Sequence, residues 1–473
     1  MRKYTNERPA VPVREIRHRR KSKRRRRRCK RLRRVLLLRA HLALRCLGLQ
    51  GLAVVIETHT TTPTNAARDA DALVIGGGPA GAAFAIRAAR AGLKVILFDK
   101  GAPGRDKICG DGLTPRAVKA LNDLNIALDD SHSILGLRMI ANKTRRQLNW
   151  PGIDPYPAQG AVWKRRNFDQ RLLDEAAEAG AEIHRDVEAL PILEGQTAVG
   201  VHASDRTYRA PIVILATGAP GAASRLLGAD RDPNEVFGLA IRTYAESPRH
   251  AEQYLEACLT MRDSSGAPNL GYGWIFPAGD GTVNIGVGAL STMKGFKKLN
   301  LNSLQATYRS MVQQEWELGP DLERPRAWRL PMATTKRHGP GWLALGDAAG
   351  LVNPMTGEGI DYALESGILA ADLVLADVAK APERYDAQIA ASFDGFLRTG
   401  RRFTFLVGHP LILNLGLRAT VGTEAIAAIT LQVMGNLVDT STPGAGGRTM
   451  RIADRLFAAA DPLLRATRAN RNE

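Results

Sequence analysis

The chain has 473 residues, enough for one extended α/β domain or two to three smaller units around a sizeable core. Its formal charge of +19 is concentrated in residues 1–46, where 20 Lys and Arg face two acids; the remainder is close to neutral, so no nucleic-acid partner is expected. Cys29, Cys46, Cys109 and Cys258 form no CxxC pair, a usage that points to a reducing compartment and no structural metal.

Residues 1–70 read as a basic disordered extension and linker. Residues 21–30 are an almost unbroken run of like charge that repels itself. The apolar run at 35–56 is interrupted by Arg39, His41 and Arg45, which makes it a poor membrane span and a poor signal peptide. A polybasic arm and a targeting segment are both conceivable. The preferred reading is an over-extended start, with the mature protein beginning near Val54 or Val55, because no Met lies between Met1 and Met139.

From Asp71 the pattern becomes that of a folded protein. Leu73 to Ile75 form a buried strand that runs into Gly76-x-Gly78-x-x-Gly81. An amphipathic helix follows to about Ala91, then an apolar strand at 94–98 ending in Asp99. Gly76 permits the tight turn, Gly78 lets backbone approach a pyrophosphate, and Gly81 lets helix and strand pack closely. The free N–H groups of the helix start suit phosphate, and Asp99 suits a ribose 2′-OH. Further on come a Gly-rich charged loop at 101–112, a helix from Pro115, strand-like sequence at 138–150 and a helix at 168–179. Short strands are expected at 182–185 and 197–203, and a buried strand at 211–215 returns to the nucleotide sheet. Residues 236–288 are strand-like and punctuated by glycine. A short strand at 342–345 ends at Gly346-Asp347, where an acid can bind a polyol. The turn Asn353-Pro-Met-Thr-Gly-Glu-Gly359 then exposes backbone N–H groups at the start of a long helix spanning about 357–380. An N-cap with a glycine turn is the plain alternative for that segment. Residues 395–437 are apolar and helical in pattern, 438–448 are Gly/Thr/Pro-rich, and a last amphipathic helix is expected at 451–466.

Taken together, Gly76-x-Gly78-x-x-Gly81, the loop Arg105-Asp-Lys-Ile-Cys-Gly-Asp-Gly-Leu-Thr-Pro-Arg116, Arg165-x-x-Phe168-Asp169, Gly346-Asp347, Asn353-Pro-x-x-Gly-Glu-Gly359 and Tyr272-Gly-Trp274-Ile-Phe276-Pro resemble the geranylgeranyl reductase family, most of all its bacterial menaquinone reductases. The resemblance covers about residues 71–439. It implies an α/β flavoprotein of the p-hydroxybenzoate hydroxylase-like fold: a Rossmann-type sheet with an inserted antiparallel substrate sheet, plus C-terminal helices. The implied boundaries are an FAD-binding domain in several segments over 71–390, insertions at about 130–165 and 236–330, and a helical region at 391–473.

The cofactor so implied is FAD, held at its adenosine end by Gly76, Gly78, Gly81 and Asp99. Lys107, Ile108, Cys109, Gly110 and Arg165 would approach it from the side, Asp347 would hold its middle, and Gly357, Gly359 and Ile360 the ring edge. One departure is Thr217-Gly218, where related hydroxylases carry Asp-Gly; it leaves the contacts of a nicotinamide donor open, and the electron donor is not readable. The substrate implied is menaquinone or another polyprenyl lipid, whose side-chain alkene would take a hydride from flavin N5 and a proton from elsewhere.

Tyr272, Trp274 and Phe276 alternate along a strand and so share one face, as a lining for an isoprenoid tail or as ordinary sheet core. Cys109 is the candidate proton donor, with Tyr272 or a water as rivals; Glu358 and Asp361 read as structural, and His338 and His409 as surface or packing residues. Work on a membrane lipid implies a cytoplasmic enzyme peripheral to the inner face of the membrane. A geranylgeranyl diphosphate or lipid reductase, an FAD monooxygenase or halogenase, and a non-catalytic basic-tailed RNA- or membrane-binding protein remain open at this point.

Overall fold

The computed structural model describes residues 68–456 and 459, apart from 143, 233–234, 263–267, 270, 294, 408–421 and 439–446. The expectations for the basic extension, for His409, for most of the 438–448 stretch and for much of the last helix lie outside the described residues.

In chain order, β1 (Ala72–Ile75), α1 (Pro79–Arg90) and β2 (Val95–Asp99) make the entry unit. They are followed by α2 (Pro115–Asp123), β3 (Gly136–Ala141), β4 (Thr144–Asn149), α3 (Arg165–Glu178), β5 (Glu182–Arg185) and β6 (Val213–Leu215). Then come β7 (Phe237–Glu246), β8 (Tyr254–Cys258), β9 (Tyr272–Pro277), β10 (Thr282–Leu290), α4 (Leu301–Val312) and β11 (Arg326–Pro331). The chain closes through β12 (His338–Gly339), β13 (Trp342–Ala344), α5 (Ile360–Ala376), α6 (Ala381–Ile389), α7 (Gly395–Val407) and α8 (Glu424–Met434).

Two large sheets organise these elements. The first has order β12-β13-β6-β1-β2-β5, with every pair parallel except β12–β13. Its central strands are short apolar runs without alternation because they are buried in one core with helices α1 and α5 and with a three-stranded antiparallel sheet at 189–209, whose Tyr208 ring meets Phe98 at 4.9 Å. Ala72 to Ile75 and Val95 to Asp99 are buried throughout. Close contact of α1 with α5 depends on small residues: a Cβ on Gly367 would lie 2.4 Å from the Ala80 carbonyl oxygen.

The second sheet, β11-β7-β10-β9-β8-β3-β4, joins segments 136–149 and 237–331. It departs from the antiparallel expectation at one place: β8 pairs with β3 in parallel, Tyr254 opposite Gly136 through Cys258 opposite Ile140. The two strands arrive from different segments of sequence, so no hairpin forces them antiparallel. One face of this sheet carries Ile241, Ile275, Ile285 and Val287 against Tyr308 and Val312 of α4. The other carries Trp274 and Phe276, with Ala427 and Leu431 of α8 in the same core. The long expected helix begins later than the sequence pattern implied, at Ile360, because Gly357 has φ +82 and the preceding turn is not helical.

A candidate flavin site

One cleft runs between the ends of the parallel strands and the aromatic face of the second sheet, enclosing about 1590 Å³ with its open mouth. At the first sheet, Gly76 has φ +112, and a Cβ there would lie 2.2 Å from the Ala216 carbonyl oxygen, so only glycine fits. A Cβ on Gly78 would meet nothing within 4 Å, which leaves this backbone bare towards the cleft. Gly81 does not line the cleft; its Cβ would sit 2.0 Å from the Gly76 oxygen, so it serves close packing. Helix α1 starts at Pro79 with no side chain bonding its first N–H groups and no acid in its first turn. That is an anion-binding terminus.

Asp99 ends β2 at 4 % exposure. Its Oδ1 accepts from Gly101 N at 3.0 Å, but its Oδ2 has no hydrogen-bond partner; the nearest charge is Arg105 Nη2 at 3.7 Å. A buried carboxylate oxygen left unbonded is costly unless a ligand supplies the donor. With the bare backbone at Gly78, it makes a cradle that fits the ribose and pyrophosphate of a dinucleotide.

Further along the cleft, Lys107 Nζ bonds Asp347 Oδ2 at 3.1 Å and lies 5.9 Å from the Trp328 ring. Asp347 stands in the 3₁₀ turn Gly346–Ala349, close beside Gly359. Gly357, Glu358, Gly359 and Ile360 form the opposing wall at the uncapped start of α5. Ile108, Cys109 and Gly110 line the cleft from the 101–111 loop. Arg165 lines it too, but its guanidinium is held by Asp169, Nε to Oδ1 at 2.7 Å and Nη2 to Oδ2 at 2.9 Å.

The loop is fixed by bonds that sequence reasoning did not reach. Asp111, at φ +66, accepts from Tyr244 Oη at 2.6 Å, Asn284 Nδ2 at 2.8 Å and Arg165 N at 3.2 Å. Asn284 also donates to the Cys109 carbonyl at 2.8 Å and accepts from Trp274 Nε1 at 2.9 Å. One amide thereby sets both the cysteine loop and the indole. Arg242, buried, ties Asp106 at 2.5 Å and also bonds Glu323. Those partners lie over a hundred positions apart in places, so no local pattern announces them.

Tyr272, Trp274 and Phe276 do share one face, with successive ring centroids 5.7 and 6.4 Å apart. All three line the cleft, Trp274 and Phe276 as buried residues. The Tyr272 hydroxyl donates to the Thr356 carbonyl oxygen. Burial raises the Cys109 thiol above its ordinary range; Arg165 opposes that shift, and Asp111 and Glu358 add to it. Asp361 is structural as expected, bonded by Thr114 Oγ1 at 3.1 Å and Asn436 Nδ2 at 2.6 Å. Glu358 lines the cleft, where burial first and Asp361 second push it up to about 8.

A glycine cradle at a strand-to-helix turn, an acid on the next strand, and a second uncapped helix start across the cleft define a dinucleotide-binding oxidoreductase of the flavin type. Residues 69–382 match the FAD binding domain family, and the chain belongs to it: an FAD-dependent oxidoreductase with the mixed α/β fold of that class. It is 37 % identical to the menaquinone reductase of Mycolicibacterium smegmatis, over 78 % of this chain and 92 % of that protein. It is 36 % identical to the menaquinone reductase of Mycobacterium tuberculosis, over 82 % and 97 %. Digeranylgeranylglycerophospholipid reductase 1 of Methanopyrus kandleri is 30 % identical over 64 % and 80 %. Among solved structures, a geranylgeranyl bacteriochlorophyll reductase-like protein of Thermoplasma acidophilum superposes with TM-score 0.66 at 22 % identity, covering 81 % of this chain and 99 % of that one.

Proposed function

We propose that this chain is an FAD-dependent reductase that saturates a C=C bond in the isoprenoid side chain of menaquinone. The observation that carries the reading is the shared cleft: the dinucleotide cradle, the cysteine loop and the Tyr272-Trp274-Phe276 face all open into it. The menaquinone reductases at 36–37 % identity point to the same substrate.

Reduced FAD, when bound, supplies the hydride that goes to one alkene carbon. The chain supplies what surrounds that event. An unactivated alkene has no carbonyl to polarise, so the chain must exclude water and tolerate electron deficiency at the second carbon; the π faces on β9 suit both demands. Cys109 donates the proton to that carbon. Its thiol, kept neutral by burial, is available at neutral pH, and the thiolate it leaves is met by the Arg165 guanidinium. Tyr272 is a lining residue, since its hydroxyl proton is committed to Thr356.

The polyprenyl tail is membrane-resident, so the reaction takes place at the inner face of the membrane. Among the described residues no helix is long and apolar enough to cross a bilayer. Exposed Phe403 on α7, in sequence with Arg398, Arg401 and Arg402, and exposed Ile452 and Leu456 next to Arg451 and Arg455 suit an interfacial contact. A polyprenyl glycerophospholipid is the second reading, favoured by the 30 % identity to the archaeal lipid reductase. The test is to reduce the FAD-loaded protein anaerobically with dithionite, add menaquinone or the archaeal-type lipid, and weigh the products. A gain of two hydrogens in the menaquinone tail is expected; a gain only in the glycerolipid, or oxygen consumption with a hydroxylated product, overturns the first reading.

A further inference from the structure

Asn284 is fully buried in β10, between Tyr244 of β7 and Phe276 of β9 in the register of the second sheet. It is not among the residues that line the cleft. A polar side chain in such a place costs desolvation unless its atoms are bonded. Both are. Nδ2 donates to the Cys109 carbonyl and to Asp111 Oδ2, each at 2.8 Å, and Oδ1 accepts from Trp274 Nε1 at 2.9 Å. The direction is forced, because an indole N–H can only donate and a carbonyl can only accept. An amide fits these partners; a carboxylate or an apolar side chain of the same shape does not.

The two parts so joined already touch. A Cβ on Gly110 would lie 3.1 Å from the Phe276 ring and 3.4 Å from Trp274 Nε1, and one on Gly112 would lie 3.1 Å from the Phe276 ring. The cysteine loop therefore rests on the aromatic face. Trp274 lies over Gly286, where a Cβ would be 2.1 Å from its ring. Apolar contact is non-directional, so by itself it lets a loop slide or a ring tilt. Hydrogen bonds have direction, and Asn284 makes them to the loop and to the ring at once. Asp111 is also bonded by Tyr244 Oη and Arg165 N, which braces the same point from β7 and α3.

We propose that Asn284 is a positioning residue: it holds the Cys109 loop in fixed register with the Trp274 ring, and so holds the proton donor within reach of a tail lying on that ring. This rests on the reading of Cys109 as donor and of the β9 face as the tail's slot. Asn284 itself touches neither tail nor flavin. A displacement of about 1 Å at the reacting atoms can cost on the order of 10²-fold in rate. Losing the amide should therefore slow the chemical step and leave binding of the tail on the aromatic face little changed.

Two variants test this. Asn284→Ser is too short to span its partners and adds no charge. Asn284→Asp keeps the shape but sets a second carboxylate against Asp111. The other ionisable groups around this point are Cys109 on the loop, Tyr244 and Arg242 on β7, and Arg165 on α3. Two facing carboxylates take up a shared proton more readily than either alone, so falling pH returns one of the lost bonds to Asn284→Asp. FAD-loaded protein is reduced anaerobically and mixed with menaquinone, and first-turnover flavin reoxidation is followed against menaquinone concentration while the lipid is weighed. At about pH 8 the limiting rate falls roughly 10²-fold in both variants, with the half-saturating concentration within about threefold of wild type. Between about pH 8 and pH 6, Asn284→Asp recovers by about tenfold relative to Asn284→Ser. A second readout needs no substrate: alkylation of Cys109 by iodoacetamide, followed on its own peptide, is about fivefold or more faster in Asn284→Ser because the loop opens more often. If Asn284→Asp does not hold FAD, the rate split and the alkylation of Asn284→Ser decide. Limiting rates within about threefold of wild type, a loss confined to the half-saturating concentration, or the same pH response in both variants overturns the proposal. Faster Cys109 labelling in a protein whose wild type saturates no alkene sinks the substrate reading and leaves the tether standing; unchanged labelling in an active protein sinks the tether alone.

Discussion

Arg116 offers the sharpest test of how the cleft is braced from behind. It follows Thr114-Pro115 at the start of α2, is 6 % exposed, and engages Glu365 of α5 through two bonds, Nε to Oε1 at 2.8 Å and Nη2 to Oε2 at 2.7 Å. Its third nitrogen donates to the Asn436 carbonyl at 3.0 Å, and Tyr362 and Phe393 stack against it at 5.1 and 5.3 Å. Asn436 in turn bonds Asp361 and Asn353, so this one guanidinium ties the segment after α8 to the start of α5. Arg116→Met keeps most of the volume and removes the charge and its donors. Breaking a buried pair costs about 3–5 kcal/mol. Glu365 retains some contact with solvent, its side chain being 21 % exposed, and can rehydrate in part. That places the expected loss near the lower end, about 3 kcal/mol. Urea unfolding of the FAD-loaded protein, followed by tryptophan fluorescence, reads this as a lower midpoint at unchanged slope. Adding Glu365→Leu removes the stranded carboxylate and restores at least ~1 kcal/mol. A single variant within about 1 kcal/mol of wild type, or a double variant less stable than the single, refutes the reasoning.

The remaining expectations follow from the same geometry. Gly76→Ala, forced to φ +112 with its Cβ 2.2 Å from a carbonyl oxygen, purifies without flavin absorbance or fails to fold; a normally yellow variant contradicts the cradle. Tyr272→Phe keeps tail saturation within about tenfold of wild type, whereas Cys109→Ala keeps FAD but loses roughly 10²-fold or more; the reverse order in initial rates exchanges their roles. Glu358 titrates near 4.5 when unfolded and near 8 when folded, so between those values the native state holds a proton that the unfolded chain has lost. Its contribution to stability is therefore fully present below about pH 4.5 and is lost as pH rises towards 8. Stability of the wild type measured across that window falls more steeply than that of Glu358→Gln, and parallel curves contradict the assignment.

What could be read from sequence was what is fixed locally. The turn at Gly76, the apolar strands on either side and Asp99 obey constraints that operate within thirty residues, and each stands where the pattern put it. The alternation of Tyr272, Trp274 and Phe276 is likewise a property of one strand. The parallel pairing of β8 with β3 was not legible, because register between segments over a hundred residues apart is decided by what buries both. The links from Asp111 to Asn284 and from Arg116 to Glu365 and Asn436 are of the same kind. The place of Glu358 in the cleft lining was not legible either. A helix-start acid is normally a cap or a dipole partner, and Asp361 is one; Glu358 stands two residues before the helix, just after Gly357 at φ +82, in a turn that the pattern had read as helix.

Hydride drawn from the flavin should reach the tail and not the quinone ring. Anaerobic titration of dithionite-reduced, FAD-loaded protein with menaquinone checks this, following flavin reoxidation while weighing the lipid and examining its headgroup. One flavin is expected to be reoxidised for each pair of hydrogens gained in the tail, with the headgroup unchanged. Flavin reoxidation that yields quinol with an unaltered tail would contradict it.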